Sequence, residues 1–176
     1  DDGVLTAYNT DYMAVARLLA DHHVPVSWSV LLQGSGGMAK AVAAALSDAG
    51  FSDVTIVARN EAAGRALADL YDFNWQPVPG ESTADLLLNV TPLGMTGEHE
   101  TVQAFSDPAI AAARTVFDVV ALPAETPLIT AARAAGKPVI TGAEVIAIQA
   151  EEQFVLYTGV RPTPEQVREA SEFSRA

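Results

Sequence analysis

The stretch from Val30 to Ala41, V-L-L-Q-G-S-G-G-M-A-K-A, carries the clearest chemistry in the chain. Val30, Leu31 and Leu32 read as a buried parallel strand and Met38 to Leu46 as a helix, with Gly34 to Gly37 as the turn between them. Glycines in such an elbow let a ligand approach the main chain, and the N–H groups and positive dipole end of the following helix attract a pyrophosphate. The pattern departs from G-x-G-x-x-G because Ala39 stands at the third glycine position, a replacement tolerated where helix and strand pack closely. Taken alone, these residues would also serve an ordinary tight βα turn or an adenosyl site of the methyltransferase type.

The residues beyond the second expected strand refine the chemistry. An NAD site usually places an acidic side chain about 20 residues past the glycine loop, where it binds the ribose 2′-hydroxyl. Here the sequence is Ala58-Arg59-Asn60. A guanidinium pairs with a 2′-phosphate and stacks on adenine, so the expected cofactor is NADP. The competing reading of Arg59, a surface cation at a helix start, sets the charge against the helix dipole. Lys40 and Arg65 either add charge nearby or are solvated helix residues. Asn89 and Thr91 follow an apolar run and either line a nicotinamide pocket or form the turn before Pro92. Asp11 sits where a carboxylate stabilises a helix start by roughly 1 kcal/mol. Gln149 lies beside Val145 and Ile146 on a long apolar helix, placed to bond a substrate hydroxyl or a buried backbone group.

The elements that must position these residues alternate. Helices are expected from Asn9-Thr10-Asp11 to His22-His23, from the glycine turn to Ala49, from Asn60 to Tyr71, and over 108–113, 127–135, 143–157 and 163–175. Strands are expected over 29–33, 54–58, 74–78, 86–90, 116–120 and 139–141. Strands alternating with helices of this length predict a Rossmann-like, doubly wound α/β fold, an open parallel sheet with helices on both faces. One domain over 1–176 is expected, with a linker helix at about 10–22 and closing helices at about 143–175.

Composition excludes several classes. The 176 residues are 49% hydrophobic, enough for one sizeable core. A net charge of -12, from 22 acidic and 10 basic side chains, repels nucleic acid and anionic membranes. There is no cysteine, the three histidines form no H-x-x-x-H pair, and no metal is expected. No apolar stretch is long enough to span a bilayer and Asp1-Asp2-Gly3 is no signal peptide, which points to the cytoplasm. Nothing indicates an oligomeric state. Asp1 to Thr6 reads as a β-turn entering a strand, as if cut from a longer protein.

Together the motifs resemble the shikimate dehydrogenase family, or its dehydrogenase-like paralogues, from Gly3 to about Gly159. The resemblance rests on N-T-D at Asn9 to Asp11, G-S-G-G-M-A-K-A at Gly34 to Ala41, and Arg59. It continues through N-V-T-P-L-G-M at Asn89 to Met95, E-T-P-L at Glu125 to Leu128, and Gln149 followed by Phe154 and Thr158-Gly159. It implies NADP-dependent interconversion of shikimate, or a quinate-like alcohol, and its 3-dehydro ketone, a step of aromatic amino acid biosynthesis. It further implies Asp11 as the catalytic carboxylate and Gln149 as a substrate amide. The implied cofactor set is Gly34, Ser35, Gly36, Gly37, Met38, Ala39, Arg59, Asn60, Asn89, Thr91, Val119 and Gly142.

Four positions depart from the family pattern. Asp118-Val119-Val120-Ala121 replaces D-M-x-Y, Glu144-Val145 replaces G-M, Tyr12 follows Asp11 in place of glycine, and Ala63 stands where a second basic residue is usual. These changes favour a dehydrogenase-like paralogue of different or weak activity. Family members carry an N-terminal α/β substrate domain with a catalytic lysine, and neither Lys40 nor Lys137 matches it. Two expectations follow: the chain is the cofactor portion of a fuller enzyme, or a free-standing, non-catalytic NADP-binding module.

Overall fold

Six short strands, each ending at the same edge, carry the architecture of the computed structural model, which describes Gly3 and residues 6–173. The turn expected at Asp1 to Thr6 lies mainly outside the described residues. The strands are β1 (Val30–Gln33), β2 (Val54–Val57), β3 (Asn74–Gln76), β4 (Leu86–Asn89), β5 (Thr115–Asp118) and β6 (Val139–Ile140). All pairings are parallel, in the order β3-β2-β1-β4-β5-β6. The expected doubly wound sheet is therefore present. Gln33 pairs in register with both Val57 and Asn89, and Asn89 with Asp118. The loops that leave β2, β1, β4 and β5 thus start side by side.

The helices are α1 (Thr10–Asp21), α2 (Gly37–Ala49), α3 (Glu61–Leu70), α4 (Asp107–Ala112), α5 (Pro127–Ala134), α6 (Gly142–Thr158) and α7 (Pro164–Phe173). Alternation along the strands builds two cores. Val30, Leu32, Ile56, Leu86, Leu88 and Phe117 face α1, α2, α3 and α6, whereas Leu31, Val57, Leu87 and Val116 face α4 and α5. Fully burying a Leu, Ile or Phe contributes about 1.5–3 kcal/mol, more than a typical surface ion pair, so this pattern governs the layering.

Local chemistry sets the helix ends. Asn9, Asn60, Ser106 and Thr126 each accept a backbone N–H as N-caps, and Gly50 and Gly159 close α2 and α6 in the left-handed conformation. Most boundaries fall within one or two residues of expectation, β5 for example at Thr115–Asp118 rather than 116–120 and β3 at Asn74–Gln76 rather than 74–78, and two of the differences have a clear physical cause. Gly37 is the first residue of α2 rather than part of the turn, because only Gly34, at φ 134, needs a backbone angle denied to other residues. Ser29 falls outside β1, its backbone N–H and its hydroxyl both engaged by the Asp85 carboxylate.

Gly142 opens α6 against the loop after β5, and a Cβ there would overlap the carbonyl group of Val120. Gly142→Ala should therefore destabilise the fold by roughly 1–3 kcal/mol through overpacking. Urea unfolding followed by circular dichroism checks this; an unchanged midpoint would show that the contact yields freely.

Candidate dinucleotide-binding site

Strand β1 sends its crossover to one face of the sheet and its neighbour β4 to the other, which opens a crevice beyond their carboxyl ends. The glycine loop lines it. Gly34 donates its N–H to Val57 O at 2.9 Å, and a Cβ on Gly34 would come within 2.7 Å of Val90 Cγ2, so glycine is demanded there by packing as well as by φ. Gly36 and Gly37 are different. Both are exposed, and a Cβ on either would meet nothing within 4 Å. The fold itself leaves clear the space in front of these two glycines, which is what a ligand approaching the main chain requires. Gly36 caps α2 without a side-chain hydrogen bond, so the first N–H groups of that helix point into this space without a capping partner.

Around this loop the other expected residues divide by what they can offer. Ser35 and Met38 are half-buried, whereas Ala39 is wholly inside the core, so its only contribution is backbone. Gln33, the last residue of β1, holds a buried Oε1 without a protein donor, an acceptor that a ligand or a water would satisfy. Arg59 is exposed just past β2, and its guanidinium makes no hydrogen bond or ion pair among the described residues. Asn60 has its Oδ1 committed to Ala63 N as the cap of α3. Arg65 is held over the Trp75 ring at 4.1 Å with its Nε on Glu61, and the Trp75 indole donates to Ala58 O.

On the β4 and β5 side the polar residues are buried and tightly bonded. Asn89 accepts the N–H of Thr91 at 3.1 Å and its hydroxyl at 2.6 Å, and donates to Leu93 O and to Asp118 Oδ1. Asp118 is fully buried and accepts two further bonds, from Val120 N and from the Thr126 hydroxyl at 2.7 Å. Burial pushes its carboxyl above the ordinary value, against the three bonds, which pull it down. Val119 is half-buried and bonds Asn89 O through its N–H. Gly142 touches the same loop through Val120. Asp118 and Thr126 had not been singled out as site residues; the available signal was a lone carboxylate ending an otherwise apolar strand, T-V-F-D.

Asp11 and Gln149 come together elsewhere. The Gln149 amide donates to Asp11 Oδ1 across the α1–α6 contact, and both side chains are half-buried. Gln149 lies seven residues along α6 from Gly142, about 10 Å at 1.5 Å per residue. Two turns of one helix therefore connect this pair to the β5 loop. A separate apolar cavity of about 660 Å³, lined by Ala143, Ile146, Ala147, Phe154 and Val167, lies between α6 and α7. It also reaches Ala121 and Leu122 of the loop after β5, and no residue of the glycine loop lines it.

The contact of α1 and of the segment after α6 with α6 is fixed by charges that the sequence did not announce. Glu151 and Glu152 are buried, and Arg17 reaches Glu151 at 2.7 Å while Arg161 reaches both at 2.8 Å.

A doubly wound parallel sheet with a glycine elbow opening onto its switch point defines the class as a Rossmann-like α/β fold. Relatives of known kind narrow this. The chain is 47% identical over 176 residues to the shikimate dehydrogenase-like protein of Haemophilus influenzae, covering 99% of this chain and 65% of that protein. Among solved structures, a shikimate 5-dehydrogenase-like protein matches with a TM-score of 0.95 at 47% identity, covering 100% of this chain and 66% of the other. Shikimate 5-dehydrogenase from Thermus thermophilus, in complex with NADP(H) and shikimate, matches with a TM-score of 0.82 at 29% identity, covering 98% and 65%. No family profile matches the chain. The chain is homologous to the shikimate dehydrogenase family along almost all of its residues, and spans about two thirds of the length of these relatives. Among the described residues no helix is long and apolar enough to cross a membrane.

Buried Glu152 makes stability depend on pH. Glu152 is held below its ordinary value of 4.5, chiefly by the hydrogen bonds of Arg161, with burial opposing and the charges of Arg161 and Arg17 adding. Because the folded value lies below the unfolded one, this stabilisation is complete above about pH 4.5 and is lost as the pH falls through the folded value. Urea midpoints compared at about pH 6 and about pH 3.5 should fall further for the unmutated protein than for Arg161→Gln. Equal losses would mean that Arg161 does not set the acid limb.

Proposed function

We propose that these residues form the NADP-binding domain of a shikimate dehydrogenase-like oxidoreductase, one that interconverts a shikimate- or quinate-like cyclic alcohol and its ketone. The observation that carries the reading is the hydrogen bond between Gln149 and Asp11, which lie 138 residues apart. It brings a proton-accepting carboxylate on α1 against a substrate-binding amide on α6, the helix whose first residue also reaches the cofactor loops. Homology to a family whose members include an NADP(H) and shikimate complex supports the same assignment. The 47% identity to a dehydrogenase-like protein, together with Ala121, Glu144 and Ala63 at departing positions, favours the paralogous branch.

The residues fit the cofactor. The N-terminus of α2 and the clear space before Gly36 and Gly37 accept a pyrophosphate, and Arg59 supplies the cation for a 2′-phosphate. Asn89, Thr91, Val119 and Gly142 border the nicotinamide end, where Gly34 packs on the loop after β4. When bound, NADP supplies the hydride acceptor. The chain's own groups then handle the alcohol. Gln149 orients its hydroxyls, and Asp11, with one carboxylate oxygen on Gln149, takes up the hydroxyl proton as the carbon loses hydride.

Cofactor choice is directly measurable. A charge-assisted bond of roughly 1.5–3 kcal/mol to the 2′-phosphate corresponds to roughly a ten- to hundredfold preference for NADP over NAD. Titrating both cofactors by calorimetry should show this preference in the unmutated protein and its loss in Arg59→Ala; equal affinities before mutation would sink the assignment. Gly36→Val should fold normally, since a Cβ there meets nothing within 4 Å, yet bind no dinucleotide. Unchanged binding by that variant would put the phosphates elsewhere. Formation of NADPH from shikimate or quinate by the full-length protein, and its loss in Asp11→Asn, tests the alcohol and the carboxylate's role together.

A further inference from the structure

Asp118 is a wholly buried carboxylate outside the expected cofactor set, yet it bonds Asn89 and joins the two loops that border the nicotinamide end of the proposed site. Its Oδ1 accepts from Asn89 Nδ2 at 3.0 Å and from Val120 N at 3.1 Å, and its Oδ2 from Thr126 Oγ1 at 2.7 Å. We propose that Asp118 is a positioning residue that fixes the loops after β4 and β5 around the nicotinamide half of the cofactor, an inference that rests on the dinucleotide reading above.

The geometry runs through Asn89. A primary amide can present either its oxygen or its nitrogen to a neighbour, and the choice is dictated by partners. Because Asp118 accepts only, Asn89 must turn its Nδ2 toward the carboxylate and therefore its Oδ1 toward Thr91, where it takes the N–H and the hydroxyl. Thr91 and Val90 are the residues against which Gly34 packs, so the orientation of one amide sets the wall of the crevice opposite the glycine loop. On the other side, Asp118 holds Val120 N and fixes the Thr126 hydroxyl, which in turn accepts from Ile129 N to cap α5. The segment from Val119 to Thr126 is thereby tied at both ends to one carboxylate.

Asp118 lies on the β4–β5 side of the switch point, whereas the adenosine half belongs to the β2 side with Arg59. The two halves of the cofactor thus separate a positioning role from a merely structural one. In Asp118→Asn one oxygen remains for Asn89 and Val120, but the new amide nitrogen cannot accept the Thr126 proton, so the loop after β5 loses one tether while the core volume is kept. Asp118→Leu removes both acceptor oxygens and with them all three bonds.

The experiment measures 2′,5′-ADP binding by calorimetry and NADPH binding by the fluorescence of its nicotinamide, for the unmutated protein and both variants. The expected result for Asp118→Asn is 2′,5′-ADP affinity within about twofold of normal, NADPH affinity weakened about five- to tenfold, and a nicotinamide emission shifted toward that of free NADPH. Asp118→Leu should extend the same selective loss, and if it does not fold, Asp118→Asn decides. Equal weakening of both probes would make Asp118 a fold residue only and overturn the proposal, as would unchanged NADPH affinity and emission. If the unmutated protein bound neither probe, the cofactor reading would fail and this inference with it.

Discussion

Strands β1 and β4 lie side by side but send their chains to opposite faces of the sheet, and no helix can cover the gap this leaves at their carboxyl ends. Everything chemical in the molecule is arranged around that constraint. Register brings Val57, Gln33, Asn89 and Asp118 into one row, so four loops begin within a few strand spacings of each other. A one-residue slip in any strand would exchange the side chains of its two faces, and the differently shaped apolar clusters on either side make such a slip costly. The row of loops is therefore as rigid as the cores beneath it.

Electrostatics at the crevice oppose the field of the whole protein. A chain of net charge -12 repels an anionic ligand at long range. Screening at physiological salt limits that repulsion to about 8 Å, while contacts to backbone N–H groups and a guanidinium act at hydrogen-bond distance. A few local donors can thus outweigh the sum of distant carboxylates. Arg65, one of the two nearby cations that could add to Arg59, is drawn off onto Trp75 and Glu61, whereas Lys40 stays exposed on the first turn of α2, so the proposed recognition of a 2′-phosphate rests chiefly on Arg59. Discrimination that rests on one guanidinium is smaller than discrimination by a pair.

Legibility followed the range of the interaction. Strand and helix positions were readable because apolar runs and capping residues act within a few residues; Asn9, Asn60 and Gly50 end helices where their side-chain chemistry requires. The glycine elbow was readable for the same reason, although the sequence did not distinguish Gly34, needed by φ and packing, from Gly36 and Gly37, which the fold leaves open. Gly142 entered the cofactor set by resemblance, and the contact with Val120 adds a packing reason that no local pattern reveals. The linkage of Arg17 to Glu151, 134 residues away, was illegible because nothing in either segment names its partner. Asp118 entered the sequence reading only within the segment that departs from D-M-x-Y, and its place as a hub was illegible because the loop that folds Thr126 back onto it and the neighbouring strand that brings Asn89, 29 residues away, are set by the fold.

Helix α6 joins these separate systems mechanically. Its first residue packs on Val120, its Glu144 closes the cap on Thr141 and meets His22 at the end of α1, its Gln149 holds Asp11, and its Glu151 and Glu152 anchor Arg17 and Arg161. Both ends of α1 are therefore bonded to α6, and the two helices must move together. A displacement of α1 would carry Asp11 and Gln149 as a unit and would be felt at the β5 loop through Gly142, whose lack of a side chain leaves no slack in that contact. Placing the expected substrate carboxylate on α1 and the amide on α6 thus fixes their separation from the cofactor loops by the length of two helical turns, a distance that side-chain rotation alone cannot alter.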